Sequence, residues 1–573
     1  MDRLLAHFIL LAAQYVASAE WYAGLEGIKI LHPDMSKSEF EALVDSAVHN
    51  TTQFGTQRTA ILVMPGEYPQ NLYIPVGYYT SIVGVGRLPS DVRLGSVRVG
   101  NDISGHALNN FWRSCEGVTL TAPRSYWAVS QASPLRRMVV EKDLWLSQSE
   151  GYSSGGFFAD IDVGGTLVMG TQQQWFGRNA RVQTGLECWT GWNYVFVGVK
   201  GIDAEAVDRC QWAGDVPKGQ RRHGWPGRIS AVTETPRIAE KPYLVKDGSK
   251  WFIYVPKFVA SSTAGPIEDR EAGIARKLEL THEVFVATPE MTAFEINMAM
   301  QGKDGLLLTP GVYVLTEPLV VKESHFVVLG LGFATLVSPI GLSCIEVLDD
   351  LDDVRVAGLV LESGTPAGFK SAQPLLRWGL IVKPTEISPS APGIASDIFA
   401  RVGSFRHIDC TPMRVGTMLE FNANGVVVDN VWAWHADHDD CSGFDPGRHS
   451  DMASYSFMSD KSHSTHGVVV NGHFVTTYGM AIEHVAGGHM CEWNGEYGQS
   501  FFFQAEFPYH TPPVAGAVSY KVNPTVLYHF ATGLGIYIIG TYTAPAAIDI
   551  SPFSDVRNVV TAVISGNHSQ FAS

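Results

Sequence analysis

The sequence predicts an all-β chain built as two tandem right-handed parallel β-helices with short capping helices. Three observations lead there. One segment is written twice, a helical pattern precedes each copy, and short apolar triplets follow each copy at about the length of one coil.

The duplication is read directly. "TAILVMPGEYPQNLYIPVGYYTSIVGVGR" from Thr59 and "DGLLLTPGVYVLTEPLVVKESHFVVLGLGF" from Asp304 both run apolar strand, Pro-Gly-x-Tyr turn, strand, then Val-Gly-Val-Gly or Leu-Gly-Leu-Gly. Pro65 thereby matches Pro310, and Gly84 matches Gly330. Ahead of the copies stand "SKSEFEALVDSAVHN" and "TPEMTAFEINMAMQGK", with apolar residues at three- and four-residue steps after a Ser or Thr, the pattern of a short amphipathic helix. Each such helix is expected to cap one core.

After the caps come β-branched and aromatic runs such as "NGVVVDN", "HGVVVNG", "YGMAIEH" and "FFFQAEF", punctuated by Gly, Asn and Asp. Regularly spaced short strands fit a sandwich, a barrel, a propeller or a solenoid, and an apolar triplet with polar flanks once per coil favours the solenoid. Gly and Asn supply the left-handed conformations that tight bends need. The expected division is residues 20–270 for the N-terminal β-helix and 271–573 for the C-terminal one, joined through "STAGPIEDREAGIARKLEL".

Residues 1–19 read as a secretory signal: Arg3, an apolar run from Leu4, then Ala17, Ser18 and Ala19. The expected location is therefore extracellular, and no later run is long and apolar enough to span a bilayer. A net charge of −16 argues against nucleic acid or an anionic membrane as partner, since either requires a basic face, and makes a neutral substrate more natural. The seven cysteines form no CxxC pair, which argues against a zinc knuckle or redox motif; one or two disulfides fit a secreted chain. Two acceptor sequons, at Asn50 and Asn567, agree with secretion. No cofactor is expected, and a monomer is.

Glu483 and Glu506 lie twenty-three residues apart in "AIEHVAGGHMCEWNGEYGQSFFFQAEFPY". One coil takes about twenty to thirty residues, so the two side chains are expected side by side on adjacent rungs. Two such carboxyls cannot both ionise cheaply, and a protonated acid beside a carboxylate is what glycoside hydrolysis requires. The alternative is two solvent-facing acids or a salt bridge at a corner. Tyr478, Trp493, Phe501, Phe503, Phe507 and Tyr509 crowd the same rungs, as sugar-stacking walls or as core.

Two polar groupings accompany the acids. In "VWAWHADHDDCSGFD", His435, Asp437, His438, Asp439 and Asp440 could ligate a divalent metal, wall a pocket or build a corner, but alternation along a strand keeps all five from converging, and no metal is assigned. In the first β-helix Gln131 and Ser154 repeat the interval of twenty-three, with Gln172, Gln173 and Gln174 near the next rung. These suit sugar hydroxyls or a held water, or equally a Gln ladder inside the solenoid.

Five segments are similar to glycoside hydrolase family 55, the exo-β-1,3-glucanases or laminarinases: "SSGGFFADIDVGG", "TQQQWFGRN", "WAWHADHD", "YGMAIEHV" and "QAEFPY". The resemblance covers nearly the whole mature chain. It implies two pectate-lyase-like β-helices with the site in the cleft between them, and a secreted, exo-acting, inverting glycosidase on a glucan. It makes Glu506 the general acid and Glu483 the second essential carboxylate. Gln131 and Ser154 then help hold the attacking water, with Gln173, Gln174, Asp437, His438, Asp439, His484 and Tyr509 lining the substrate or water site. "WAVSQASPLRRM", the triple Gln, "CEWNGEYGQS", and Ala505 and Phe507 beside Glu506 depart from the laminarinase pattern and look closer to a related branch. Two other readings remain. One is a polysaccharide lyase or epimerase on the same scaffold, with His484, His438 or Lys461 as base. The other is a glycan-binding protein without catalysis.

Overall fold

The computed structural model describes residues 20–49, 51–102, 105–149, 151–189, 191–202, 228–265, 273–384, 391–403, 411–436, 462–509, 512–539, 544 and 546–565. Residues 1–19, Asp437, His438 and Asp439 lie outside them. Two large parallel assemblies emerge in succession. The first runs from Ile28–Leu31 to Arg228–Val232 and consists of a 12-stranded and a 6-stranded sheet. The second runs from Val284–Ala287 to Ser554–Ser565, in a 12-stranded and an 8-stranded sheet. Each rung pairs in parallel with the next, as Pro134 with Phe157 or Thr476 with Gln499, which is the pairing of parallel β-helices.

Between them the chain changes style. Tyr243–Asp247, Lys250–Pro256 and Ile274–Glu279 form an antiparallel sheet, and Thr235–Ile238 pairs antiparallel with Val259–Ser262. Gly248-Ser249 makes the hairpin turn, with Gly248 at φ +60°.

Both capping helices form, at Lys37–Val48 and Ala293–Ala299. Each starts with a capping box. Glu39 N–H donates to Ser36 Oγ at 3.3 Å and Ser36 N–H to Glu39 Oε2 at 2.8 Å, and the Thr292/Glu295 pair repeats this at 3.3 and 2.9 Å. Phe40, Val44 and Ala47 close one end of the first core, and Ala293 and Ile296 one end of the second. The duplicated turns also match atom for atom. Tyr68 Oη donates to Leu31 O and Met64 O at 2.8 and 3.0 Å, and Tyr313 Oη to Ala287 O and Thr309 O at 2.9 Å each.

The paired glycines have one cause. A Cβ on Gly84 would lie 2.1 Å from Gly117 O, and one on Gly330 would lie 2.5 Å from Gly358 O. The next rung's backbone fills the space a side chain would take. Gly84→Ala and Gly330→Ala are each expected to lower stability by about 1–3 kcal/mol, the cost of overpacking a rigid site, measured by urea unfolding.

One bend recurs along the second β-helix. Gly358, Asp397, Asn430, Gly479, Phe502 and Gly533 all have positive φ, and the ladder steps over each of them. The extra residue resets the alternation of side chains, as a β-bulge does. Tyr478 packs outward and Met480 inward, yet Glu483 again points outward. The register lines up the outward residues after the bend in one column: Glu362, Arg401, Trp434, Glu483, Glu506 and Tyr537.

This wall faces the first β-helix. Phe54, Tyr79, Phe111 and Trp112 meet Phe333, Phe399, Trp432 and Trp434 in one aromatic cluster, and Phe157, Phe176 and Val195 meet Tyr478, Phe501 and Phe502 in another. Between the clusters runs a buried ionic chain. Arg136 donates to Asp397 at 2.8 and 2.7 Å and to Asp429 at 2.8 Å, and Arg178 donates to Asp429 at 2.8 and 2.7 Å and to Glu240 at 2.5 and 2.7 Å. Burial works against the Asp429 charge, but Arg178 and Arg136 outweigh it and hold the carboxyl below its ordinary range.

Cys115, Cys344 and Cys491 are buried and unbridged, whereas Cys188 is disulfide-bonded. No helix among the described residues is long and apolar enough to cross a membrane.

Candidate active site

Glu483 and Glu506 end two adjacent strands, Thr476–Glu483 and Gly498–Glu506, and pair directly in register. Strand spacing sets their backbones about 4.8 Å apart. They are 4% and 6% exposed. The surrounding wall excludes most water, yet the two acids are differently dressed.

Glu483 is saturated with N–H donors. Gln131 of the first β-helix reaches across to donate Nε2–H to Oε1 at 2.6 Å, Gln504 donates to the same oxygen at 2.8 Å, and Trp432 Nε1–H donates to Oε2 at 2.9 Å. Glu506 accepts one O–H, from Tyr509 at 3.1 Å, and its Oε2 lies 3.6 Å from His484 Nε2. Burial and the neighbouring Glu506 charge push the Glu483 carboxyl up to about 8, against the hydrogen bonds from Gln504 and Trp432; a charged His484 would also pull it down. Two carboxyls this close titrate as one unit, and that unit keeps a proton through neutral pH. The N–H donors gathered on Glu483 and the O–H that Tyr509 gives Glu506 leave the two acids chemically unequal.

Other residues are brought in unequally. Gln174 Nε2–H donates to Ser154 Oγ at 3.0 Å, and Gln174 lines an interface cavity together with Gln131, Trp432 and Gln504. Ser154 sits one rung from Gln131, its N–H bonded to Ser130 Oγ at 3.1 Å. Gln172 is turned the other way, donating to Val129 O and Leu146 O at 3.2 Å each. Gln173 is half-buried and bonds through its backbone, to Ser153 O and from Trp192 N–H. Among the described residues no contact links the Gln173 side chain to either acid. The Gln run is thus neither one wall nor one ladder, because alternation splits it. His435, upstream, pairs with Ser464 Oγ at 2.9 Å. No group of three or more His, Cys, Asp or Glu among the described residues could hold a metal ion.

Four residues that belong to the site carry little signal in the sequence. Trp432 and Gln504 bond Glu483; Trp434 and Tyr537 are its column neighbours on either side of the acid pair. Gln504 was findable, two positions before Glu506 on the same face. Of the crowded aromatics, Trp493, Phe503 and Phe507 are core inside the second β-helix, Tyr478 and Phe501 pack between the helices, and Tyr509 alone touches an acid.

Comparison with known proteins identifies the family. Residues 284–506 match the LAM55 pectate lyase-like domain. An exo-beta-1,3-glucanase of Streptomyces sp. (strain SirexAA-E / ActE) is 31% identical over 528 residues, covering 89% of this chain and 79% of that protein. The structure of sacteLam55A from Streptomyces sp. SirexAA-E superposes with a TM-score of 0.76 at 28% identity, over 92% of this chain and 91% of that one. An alanine variant of the same enzyme in complex with glucose gives the same figures, a TM-score of 0.76 at 28% identity. Similarity of this extent, running through both β-helices and not one domain alone, makes the chain a member of glycoside hydrolase family 55.

Proposed function

We propose that the protein hydrolyses β-1,3-glucan from the chain end, with Glu506 protonating the glycosidic oxygen and the anomeric configuration inverted. The observation that carries this is the in-register Glu483/Glu506 pair, buried and asymmetrically bonded, in a family 55 chain. The exo action and the glucan are those named for the Streptomyces relative.

Neighbouring rungs put both acids on one side of the sugar. A carboxylate base that activates water across the ring needs a separation of about 6.5–9.5 Å, with the sugar between the two groups. Glu483 pairs with Glu506 on the adjacent rung and accepts from Gln131, so in this reading it complements the acid and anchors Gln131. Attack from the opposite face then falls to a water held by neutral groups of the first β-helix. Gln131 spends its Nε2–H on Glu483, which leaves its Oε1 to accept from water, and the Ser154 hydroxyl, fixed by Gln174, completes the holder. The glycosidic bond breaks as Glu506 protonates its oxygen, the held water forms the new bond to the anomeric carbon, and the water's surplus proton passes to solvent, from which Glu506 is reprotonated. A polymer met outside the cell suits the leader-like residues 1–19.

Release of glucose from laminarin, followed by NMR from the first turnover, tests the reading. The α-anomer is expected first. If β-1,3-glucans give no product while another glycan is cleaved, the substrate assignment fails; β-glucose appearing first would refute inversion. Glu483→Gln is expected to lower kcat by about 10²-fold, because the carboxylate that anchors Gln131 beside the acid is gone.

A further inference from the structure

We propose that Trp434 is a positioning residue that holds His484 neutral, so that the carboxyl pair keeps its proton. The inference rests on the reading of Glu506 as the acid, and it explains a tension within the site. A histidine stands 3.6 Å from an acid that must stay protonated. That distance is too long for a hydrogen bond but short for charge, and an imidazolium there would favour two ionised carboxylates.

The geometry removes the imidazolium. An indole N–H donates and never accepts. Trp434 Nε1–H points at His484 Nδ1, 3.2 Å away, so Nδ1 presents its lone pair and the ring proton sits on Nε2, facing Glu506. A second proton would have to enter at Nδ1, against the indole N–H. Neither ring is free to turn aside. Trp434 is 1% exposed, stacked on Trp432 at 4.7 Å and 15° and on Phe54 at 6.0 Å and 23°. His484 is buried at φ +63°, with the Tyr509 ring 4.4 Å away.

The described ionisable groups facing His484 are Glu506 on the next strand, Tyr509 beyond that strand's end, and Glu483 on its own strand. Two carboxyls would make an unrestrained histidine more basic and charge it near neutral pH. The indole N–H opposes that at one atom.

The test uses the full-length protein. Nitrogen shifts of isotopically labelled histidine, with His484 assigned by its loss in His484→Asn, are expected to report an Nε2–H tautomer that does not titrate between about pH 5 and 8. Titration of His484 in that window, or an Nδ1–H tautomer, overturns the proposal in the unmutated protein, whatever the variants do. Trp434→Phe keeps a ring in the stack but removes the N–H. His484 is then expected to titrate, kcat at neutral pH to fall about tenfold, and the basic limb of kcat/KM to move down by about one pH unit. The limb moves down because a cation favours carboxylate and the acid form is lost sooner. An unmoved limb in folded Trp434→Phe overturns the proposal. Full activity in Glu506→Gln would instead sink the acid assignment, leaving the histidine spectra as they are.

Discussion

Glu506→Gln is expected to cut kcat on laminarin by about 10³- to 10⁴-fold while the fold and its thermal stability persist. The amide matches the acid in shape and still accepts from Tyr509, so packing is preserved. What disappears is the proton. The loss should therefore depend on the leaving group: a glycosyl fluoride, which departs without protonation, is expected to be hydrolysed almost as well by the variant as by the unmutated protein. An equal loss on both substrates would mean that Glu506 positions the sugar and does not donate, and the assignment would be wrong. Glu483→Gln should not show that dependence to the same degree, because Glu483 acts on the acid and not on the departing oxygen.

Asp429→Ala is expected to destabilise the protein by about 3–5 kcal/mol, the cost of leaving buried charges without their partner. Asp429 binds two arginines of the other β-helix, and the Arg178, Arg136 and Asp429 side chains are 0%, 5% and 0% exposed. Urea unfolding should show the loss, and a change below about 1 kcal/mol would mean the network relaxes without strain. The dependence on pH has a definite sign. The Asp429 carboxyl is held below its unfolded value of about 3.9, so its contribution is complete above that pH and fades as pH falls through the lower, folded value. The unmutated protein should lose its advantage over Asp429→Ala only in strong acid.

Much of this was legible in the sequence because a solenoid converts interval into adjacency. Twenty-three residues separate Glu483 from Glu506, and twenty-three separate Gln131 from Ser154; in both places the structure puts the pair one rung apart. The capping helices were legible from their Ser-x-x-Glu and Thr-x-x-Glu boxes, which need only local geometry. Where the interval varies, the rule goes silent. The column residue before Glu483 is Trp434 and the one after Glu506 is Tyr537, at steps no fixed coil length suggests, because turns between sheets absorb insertions. The antiparallel hairpin at Tyr243–Pro256 had its own signal, Gly248-Ser249 between two short strands, hidden by the expectation of further coils. The reach of Gln131 to Glu483 lay beyond any spacing argument, since it joins the two β-helices.

The recurring bend in the second wall has one more consequence. In every rung from Gly358 to Gly533 the outward column residue follows the positive-φ position by the same step: Gly358 and Glu362, Asp397 and Arg401, Asn430 and Trp434, Gly479 and Glu483, Phe502 and Glu506, Gly533 and Tyr537. The short stretch after the bend therefore behaves as a reading frame. Adding or deleting a whole loop elsewhere in a coil leaves the frame intact, whereas adding or deleting one residue inside it would turn a carboxyl from the cleft into the core. A column residue can therefore be replaced with the frame kept, whereas a one-residue shift inside it sends the side chains that follow to the opposite face.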